Sequence, residues 1–244
     1  MPAPTVLSLT KVDIASSSSD LAWQAAAEGA PSGQAFLVGE QTAGRGRRGA
    51  SWSSMRGGMY LSVLLRPSLL PQAYFGLSFV AALAIREELG RRLAGYDVRL
   101  KWPNDVLVGG GKISGILLEA RGDAIVIGTG VNIVPVSAVA NARLPAISVN
   151  DLGGDVSPSE LAESYGNNLL ARVESYVRSG FEPVRLEWLL HCAHIGDRVR
   201  VSTGADVIAG LFDDLDTDGA LVLRDDADRR IRVTTGDVEL MGKG

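Results

Sequence analysis

Residues 40–52, EQTAGRGRRGASW, organise the sequence around them. One apolar run precedes them at 35–38 and another follows at 59–65, so the pattern predicts a loop between two strands. Three glycines in the loop let its backbone approach a ligand closely. Four arginines against one glutamate give residues 40–56 a net charge of +3, in a chain whose net charge is −4. The loop is therefore a candidate anion-binding site.

Basic, glycine-rich composition is also found in disordered segments and in nonspecific nucleic-acid patches. Two features favour a ligand site here: the strands flank the loop closely, and Trp52 can stack on a planar group. The loop does not match the dinucleotide or Walker fingerprints, because no Gly-Lys-Ser/Thr ends it and no long helix follows. We therefore expect arginine side chains and loop amides to hold the anion.

Length and composition are those of an ordinary globular protein, with 244 residues, 46% of them hydrophobic and 21% charged. The single cysteine, Cys192, excludes an internal disulfide framework and a zinc cluster of cysteines. The sequence has no apolar run of about 18 residues and no signal-peptide pattern at its N-terminus. We expect a cytoplasmic protein that binds neither membranes nor DNA, since its overall charge is negative.

A second dense motif, KWPND at 101–105, predicts a turn between two strands, because proline fixes φ and the Asx side chains bond nearby amides. Glycines at 109–111 then close a hairpin, and Gly115 indicates a bulge or the close approach of a ligand. Lys112 is either an exposed hairpin lysine or a point charge for a carboxylate or phosphate. Asn132 can read a base edge or simply complete a turn.

The remaining pattern predicts scaffold. A short strand is expected at 6–9, and the serines at 16–19 are either a capped turn or hydrogen-bond donors beside the basic loop. Helical periodicity or capping signals occur at 21–28, at 74–93, after the capping box SPSE at 157–160 and at about 183–192. Cys192 and the two histidines, His191 and His194, are expected to be packing or surface residues. From residue 195, short alternating runs between Gly and Asp turns predict a small β-barrel.

Four blocks occur in the order found in biotin protein ligases: 41–52, 101–105, KxxGILxE at 112–119 and GxGVN at 128–132. Over about residues 5–190 the chain resembles that family, and the pairing of GRGRRG with KWPND is the most specific feature. The resemblance implies an α+β fold, in which a mixed, mainly antiparallel sheet with helices, like that of class II synthetases, precedes an SH3-like β-barrel. The implied domains are a biotin- and ATP-binding catalytic domain at 1–193 and the barrel at 194–244.

The resemblance also implies roles for individual residues. Those implied for biotin are Ser16, Ser17, Gln41, Gly44, Arg45, Arg47, Lys112 and Gly115. Those implied for ATP or the adenylate are Arg47, Arg48, Trp52, Lys112 and Asn132. Lys112 and Arg45 are the implied catalytic residues, and Asp105 is the implied Mg²⁺ ligand.

Two departures from the family pattern are visible. The usual Ser-Thr-Asn of the first loop aligns with Ser16, Ser17 and Ser18, and Ala50 and Ser51 stand where Arg or Lys often precedes the tryptophan. No helix-turn-helix precedes residue 5, so the resemblance is to the form without an N-terminal DNA-binding domain.

The implied reaction uses ATP and Mg²⁺ to convert biotin to biotinyl-5′-AMP, and then transfers biotin to a lysine of a biotin carboxyl carrier protein. The resemblance leaves a monomer or a weak homodimer open. Two alternatives remain: a related ligase for lipoate or octanoate, and a noncatalytic nucleotide- or RNA-binding module whose affinity would fall steeply with salt.

Overall fold

A computed structural model of the chain describes residues 5–136, 144–204 and 206–241. Its larger sheet has seven strands in the order β1-β2-β3-β7-β6-β5-β4. The strands are β1 (Ser8–Ala15), β2 (Gln34–Gln41), β3 (Met59–Leu65), β4 (Val98–Lys101), β5 (Asp105–Val108), β6 (Gly111–Arg121) and β7 (Ala124–Val131). Only the β1–β2 pairing is parallel among these described strands, which confirms the predicted mixed, mainly antiparallel sheet.

The described residues form four α-helices: α1 (Ser18–Ala27), α2 (Gly76–Arg92), α3 (Pro158–Ser179) and α4 (Phe181–Leu190). The Ser17 side chain caps α1 by accepting from the Ser19 N–H, and Ser157 with Glu160 forms the predicted capping box at α3. Gly180, with φ 72°, separates α3 from α4 because a glycine adopts this left-handed conformation without strain. In the described ranges, no helix has the length and apolar content needed to cross a membrane.

The two faces of the sheet are covered unequally. Helix α1 packs on β2, β3 and β7 through Ala22 and Trp23, which contact Leu64 and Val126 in a small cluster. Helices α2 and α3 cover the opposite face, and α4 packs on these two helices at the edge of the main core. Successive strand residues point to opposite faces of the sheet, so each strand contributes side chains to both. The α1 face beyond this small cluster stays open, and the cleft described below lies there.

The first strand differs from its prediction. Strand character was expected at 6–9, whereas β1 begins at Ser8 and continues to Ala15. The reason is the parallel pairing with β2, which runs from Ser8 opposite Gln34 to Ala15 opposite Gln41. An edge strand with exposed side chains such as Lys11 and Asp13 lacks the apolar alternation that sequence patterns detect.

The C-terminal region forms a separate antiparallel sheet of five strands in the order β11-β10-β9-β8-β12. They are β8 (Arg198–Ser202), β9 (Val207–Leu215), β10 (Leu221–Arg224), β11 (Arg230–Val233) and β12 (Asp237–Leu240). The domain boundary predicted between 193 and 194 falls between the end of α4 and the start of β8. Trp102 joins the two sheets, since its indole Nε1 donates to the Gly219 carbonyl at 3.0 Å.

Candidate active site

Glycines on two paired strands open a cleft on the α1 face. Ile127, Thr129 and Val131 of β7 point to the helices on the other side, whereas Gly128 and Gly130 face the cleft. Gly130 pairs with Gly115 of β6. A Cβ would lie 2.5 Å from the Trp52 indole at Gly130 and 2.8 Å from it at Gly115. The indole therefore rests directly on two glycines, as only residues without side chains allow.

The structure brings most of the predicted residues to this one cleft. Those that line it are Ser17, Gln41, Arg45, Arg47, Trp52, Asp105, Lys112 and Gly115. They come from the start of α1, the end of β2, the basic loop at 42–53, and strands β5 and β6. Segments far apart in sequence thus meet because their strands belong to one sheet, in which only β3 and β7 separate β2 from β6.

Neutral hydroxyl and amide groups form one end of the cleft. The Gln41 Oε1 atom accepts from the Ser18 N–H at 2.8 Å and from Ser18 Oγ at 3.1 Å. Ser62 Oγ lies 2.8 Å from Ser18 Oγ and 3.0 Å from Ser19 Oγ. These serines are buried, so their hydrogen bonds are needed to offset desolvation. This end suits an uncharged, polar ligand group.

Charged groups form the other end. Lys112 Nζ lies 2.6 Å from Asp105 Oδ1, as an ion pair whose angles fall short of a hydrogen bond. Lys101 Nζ lies 3.9 Å from the other oxygen of the same carboxylate. Lys112 also stands over the Trp52 ring, 5.2 Å from its centroid. Three cationic side chains, Arg45, Arg47 and Lys112, line the cleft against two carboxylates, Asp105 and Asp237, and this positive balance suits an anion.

The basic loop is a short two-stranded ladder with a turn of 3-10 helix (Arg47–Gly49) at its tip. Its legs are joined by the Trp52 N–H to Gly44 O bond at 2.9 Å and the Gly46 N–H to Ala50 O bond at 2.7 Å. Arg48 at the tip has a left-handed φ of 54°. The loop is therefore ordered by its own backbone hydrogen bonds, in a conformation that folds over the cleft.

The loop arginines have different partners. Arg45 Nη1 lies 2.6 Å from Asp20 Oδ1, and this hydrogen bond raises the Arg45 pKa. Arg48 instead reaches the C-terminal sheet, with Nη2 donating to Thr235 Oγ1 at 2.8 Å and Nη1 lying 3.5 Å from Asp237 Oδ2.

Arg47 lies deeper, and its Nη1 donates to Asn104 Oδ1 at 3.2 Å. Burial lowers the Arg47 pKa, and no salt bridge within 5–136, 144–204 and 206–241 includes this residue. A half-buried guanidinium with a neutral partner is a ready site for phosphate.

Four predicted site residues do not line the cleft. The Ser16 hydroxyl is exposed and donates to Asp20 Oδ2 at 2.7 Å, because Ser16 precedes the helix cap and points outward. The Asn132 amide donates to the Lys112 and Ile147 carbonyls, both at 3.2 Å, and so supports the backbone beside Lys112. Arg48 is turned to the C-terminal sheet, and Gly44 supports the loop base. Direct ligand contacts by these four residues stay predictions.

The structure also decides between the serines at 16–19 and adds residues that sequence reasoning missed. Ser18 and Ser19 replace Ser16 because the helix cap sets which serines turn inward. Ser62 does not line the cleft but contacts Ser18 and Ser19 from within the fully buried strand β3, and a polar residue in such a strand is a signal that could have been read from the sequence. Asp237 reaches the cleft from the C-terminal sheet, and no local pattern marks it.

Cys192 and His194 lie outside the cleft, as predicted for packing residues, and both are buried. Burial raises the pKa of the Cys192 thiol to about 11 and lowers the pKa of His194. No group of three or more His, Cys, Asp or Glu side chains in the described part of the chain has a metal-binding arrangement.

Comparison with known proteins agrees with this geometry. Residues 13–132 match the Biotin/lipoate A/B protein ligase family, and residues 194–241 match the Biotin protein ligase C terminal domain. A biotin--[acetyl-CoA-carboxylase] ligase of Paracoccus denitrificans is 39% identical over 216 residues, covering 82% of this chain and 88% of that protein. One of Mycobacterium tuberculosis is 34% identical over 229 residues, covering 91% and 85%.

Biotin protein ligases are also found among solved structures with a similar fold. The biotin protein ligase of Aquifex aeolicus, solved in complex with biotin and ATP, superposes with a TM-score of 0.82 at 23% identity, covering 96% of this chain and 98% of that one. This likeness concerns the fold, and the identity to the Paracoccus and Mycobacterium enzymes together with the two family matches decides the assignment. The chain belongs to the biotin protein ligase family.

Proposed function

We propose that this protein is an ATP-dependent biotin protein ligase. It activates biotin to biotinyl-5′-AMP and then transfers the biotinyl group to a lysine of a biotin carboxyl carrier protein. The observation that carries this proposal is the single cleft that places a neutral hydroxyl and amide end next to a cationic end. Biotin has the matching polarity, with an uncharged ureido ring at one end and a carboxylate at the other.

In the first half-reaction, a biotin carboxylate oxygen bonds to the α-phosphorus of ATP, and the bond to the bridging oxygen breaks to release pyrophosphate. The main obstacle is repulsion between a carboxylate and a polyphosphate. Lys112 and Arg47 point into the cleft, and their charges offset this repulsion and stabilise the negative charge of the transition state. Arg45 lies at the mouth, where it can exchange Asp20 for a phosphate oxygen.

In the second half-reaction, the acceptor lysine amine attacks the carbonyl carbon of the mixed anhydride, and AMP leaves. The reaction needs no serine or cysteine nucleophile, and the buried thiol of Cys192 lies outside the cleft. The basic loop, folded over the cleft, limits the access of water to the adenylate.

Magnesium enters this proposal as a partner of the substrate ATP. The side chains near Asp105 do not form a magnesium cage, because Lys112 and Lys101 already face its carboxylate. A magnesium ion usually keeps several waters and binds one or two carboxylates together with substrate phosphates. Coordination by Asp105 stays a prediction that these contacts do not favour.

The two alternatives are less well supported. The N-terminal match covers biotin and lipoate ligases together, but the C-terminal match and the named relatives are specific to biotin. A nucleic-acid module needs free cationic side chains, whereas Arg45, Arg48 and Arg56 are all within 4 Å of carboxylates.

The proposal includes the sequence-based predictions on partners and location. The carrier protein is the expected macromolecular substrate, and the reaction is expected in the cytoplasm without DNA or a membrane. A monomer or a weak homodimer is expected, and sedimentation velocity over a range of concentrations measures which one forms.

The decisive experiment is exchange of labelled pyrophosphate into ATP, with biotin, lipoate or octanoate in parallel and Mg²⁺ present. We expect exchange with biotin alone. Exchange with lipoate or octanoate instead would move the protein to the related acyl ligases. A folded protein that supports no exchange with any acid would contradict adenylation altogether.

A further inference from the structure

We propose that Ser54 is a positioning residue for biotin. Its hydroxyl fixes the side chain of Gln41 and closes the base of the basic loop, although Ser54 itself does not line the cleft. This inference rests on the proposed function, since it concerns how the same cleft holds biotin.

Ser54 stands where the loop returns to the sheet, and it bonds to both legs of the loop. The Gln41 N–H donates to the Ser54 carbonyl at 3.3 Å, and Gln41 Nε2 donates to Ser54 Oγ at 2.7 Å. The Ser54 hydroxyl in turn donates to the Trp52 carbonyl at 3.2 Å. One residue thus ties the end of β2 to the segment that carries the indole.

The Gln41 amide has its orientation set from both sides. Its Oε1 atom already accepts two hydrogen bonds from Ser18, one from the N–H and one from the hydroxyl. On the other side, Ser54 Oγ accepts from Nε2. Without that acceptor, the amide can rotate away from the geometry that faces the cleft, because terminal amide torsions have broad energy wells.

Close packing fixes the position of the Ser54 hydroxyl. Ser54 is 7% exposed, and a Cβ at Gly44 would lie 2.5 Å from its Oγ and 3.1 Å from Gln41 Nε2. Gly44 is therefore needed because Ser54 and Gln41 fill the space beside it. This contact also explains why a predicted biotin residue, Gly44, supports the loop base without lining the cleft.

The test uses the full chain and biotin alone, with affinity measured by isothermal titration calorimetry. We expect Ser54→Ala to weaken biotin binding about tenfold, the effect of losing roughly one hydrogen bond to a buried amide. The KM for ATP should stay within about twofold of wild type, because Ser54 supports Gln41 at the neutral end of the cleft. Ser53→Ala is the matched control, since Ser53 is the exposed neighbour.

A double-mutant cycle with Gln41→Ala separates positioning from general destabilisation. If Ser54 acts through Gln41, adding Ser54→Ala to the Gln41→Ala variant should change biotin affinity by less than about twofold. Full additivity of the two effects would overturn the proposal. Ser54→Cys keeps the size of the side chain but accepts hydrogen bonds weakly, so it should follow Ser54→Ala even if the alanine variant folds poorly.

Two outcomes of the binding experiment distinguish the proposed function from the role of Ser54. A folded wild-type protein that does not bind biotin would remove both the proposed function and the role of Ser54. Wild-type binding that Ser54→Ala leaves unchanged would keep the function and remove the role of Ser54.

Discussion

The two ends of the cleft hold their side chains by different interactions. At the neutral end, Gln41, Ser18 and Ser62 are linked by hydrogen bonds of 2.8 to 3.1 Å between uncharged groups. At the charged end, Lys112 and Asp105 form an ion pair without hydrogen-bond geometry. Hydrogen bonds require direction, whereas an ion pair keeps most of its energy when a side chain moves slightly.

This difference indicates that the two ends of the cleft have different roles. The neutral end can discriminate between ligands by shape and hydrogen-bond position, because a mismatched ligand leaves buried polar groups unpaired. The charged end can exchange its own ion pairs for the carboxylate and phosphates of the substrates. Changes at the neutral end should therefore alter mainly biotin affinity, and changes at the charged end mainly adenylation, through its rate or through the KM for ATP.

The largest expected effect is at the charged end. Lys112→Ala should lower the rate of biotin-dependent pyrophosphate exchange by about 100- to 1000-fold, since one electrostatic group of an active site contributes on this order. Arg45→Ala should also lose most of the exchange. Lys11→Ala is the control, because Lys11 lies on exposed β1 and pairs with Glu163. Near-normal exchange in either active-site variant would contradict its assigned role.

The next effect concerns the glycine floor between the two ends. Gly130→Ala should weaken biotin binding about 10- to 100-fold, because the new Cβ would meet the Trp52 indole and overpacking costs about 1–3 kcal/mol. Calorimetric titration measures the change. Gly90→Ala is the control, as nothing lies within 4 Å of its added Cβ and alanine favours the helix. If Gly130→Ala binds biotin with unchanged affinity, the Trp52 indole can shift without affecting biotin binding.

A smaller effect should separate two neighbouring arginines. Arg47→Ala should raise the KM for ATP about tenfold, because Arg47 lines the cleft and a charged hydrogen bond to phosphate is lost. Arg48→Ala should raise it less than about threefold, since its partners are Thr235 and Asp237 at the surface of the C-terminal sheet. A larger rise in the KM for ATP in Arg48→Ala than in Arg47→Ala would show that the loop tip turns inward when ATP binds.

The smallest expected effect is on stability, and it concerns His194, which lies outside the cleft. Burial lowers the pKa of His194, and nearby Lys101 lowers it further, so the unfolded chain binds the proton more readily. The free energy of unfolding should therefore fall as the pH drops below about 6.5, the ordinary value for histidine, until the folded-state pKa is passed.

Urea denaturation between pH 7.5 and 5 measures this dependence. His194→Gln should reduce the loss of stability at low pH, while His191→Gln, at a more exposed histidine, should reduce it less. An identical pH dependence in wild type and His194→Gln would assign the loss to other groups. Pyrophosphate exchange at pH 7.5 should be unaffected by either change.

Much of this organisation was predictable from local sequence. Continuous apolar runs placed β2 and β3 on either side of the basic loop, and the capping box placed the start of α3. Periodicity placed α2, whose buried face includes Leu77, Ile85 and Leu89. Such features depend on residues a few positions apart, which is why they can be read without knowledge of the fold.

The composition of the cleft was predictable only in part. Gly115, Lys112 and Trp52 were identified from short motifs, but the contact of Trp52 with both Gly115 and Gly130 depends on the register between β6 and β7. The ion pair of Asp105 with Lys112 depends on the shift in register between β5 and β6. A shift of one residue would send each side chain to the opposite face, so the motif alone cannot state its partner.

The sequence by itself determined the elements, the basic loop and the family resemblance, because these follow from periodicity, turn residues and short motifs. Tertiary structure alone decided which serines face the cleft, where Asp105 points and how Arg48 reaches Asp237, 189 residues away. The physical reason is that strand register, helix capping and domain packing set side-chain direction, and each brings together residues whose separation along the chain carries no local signal.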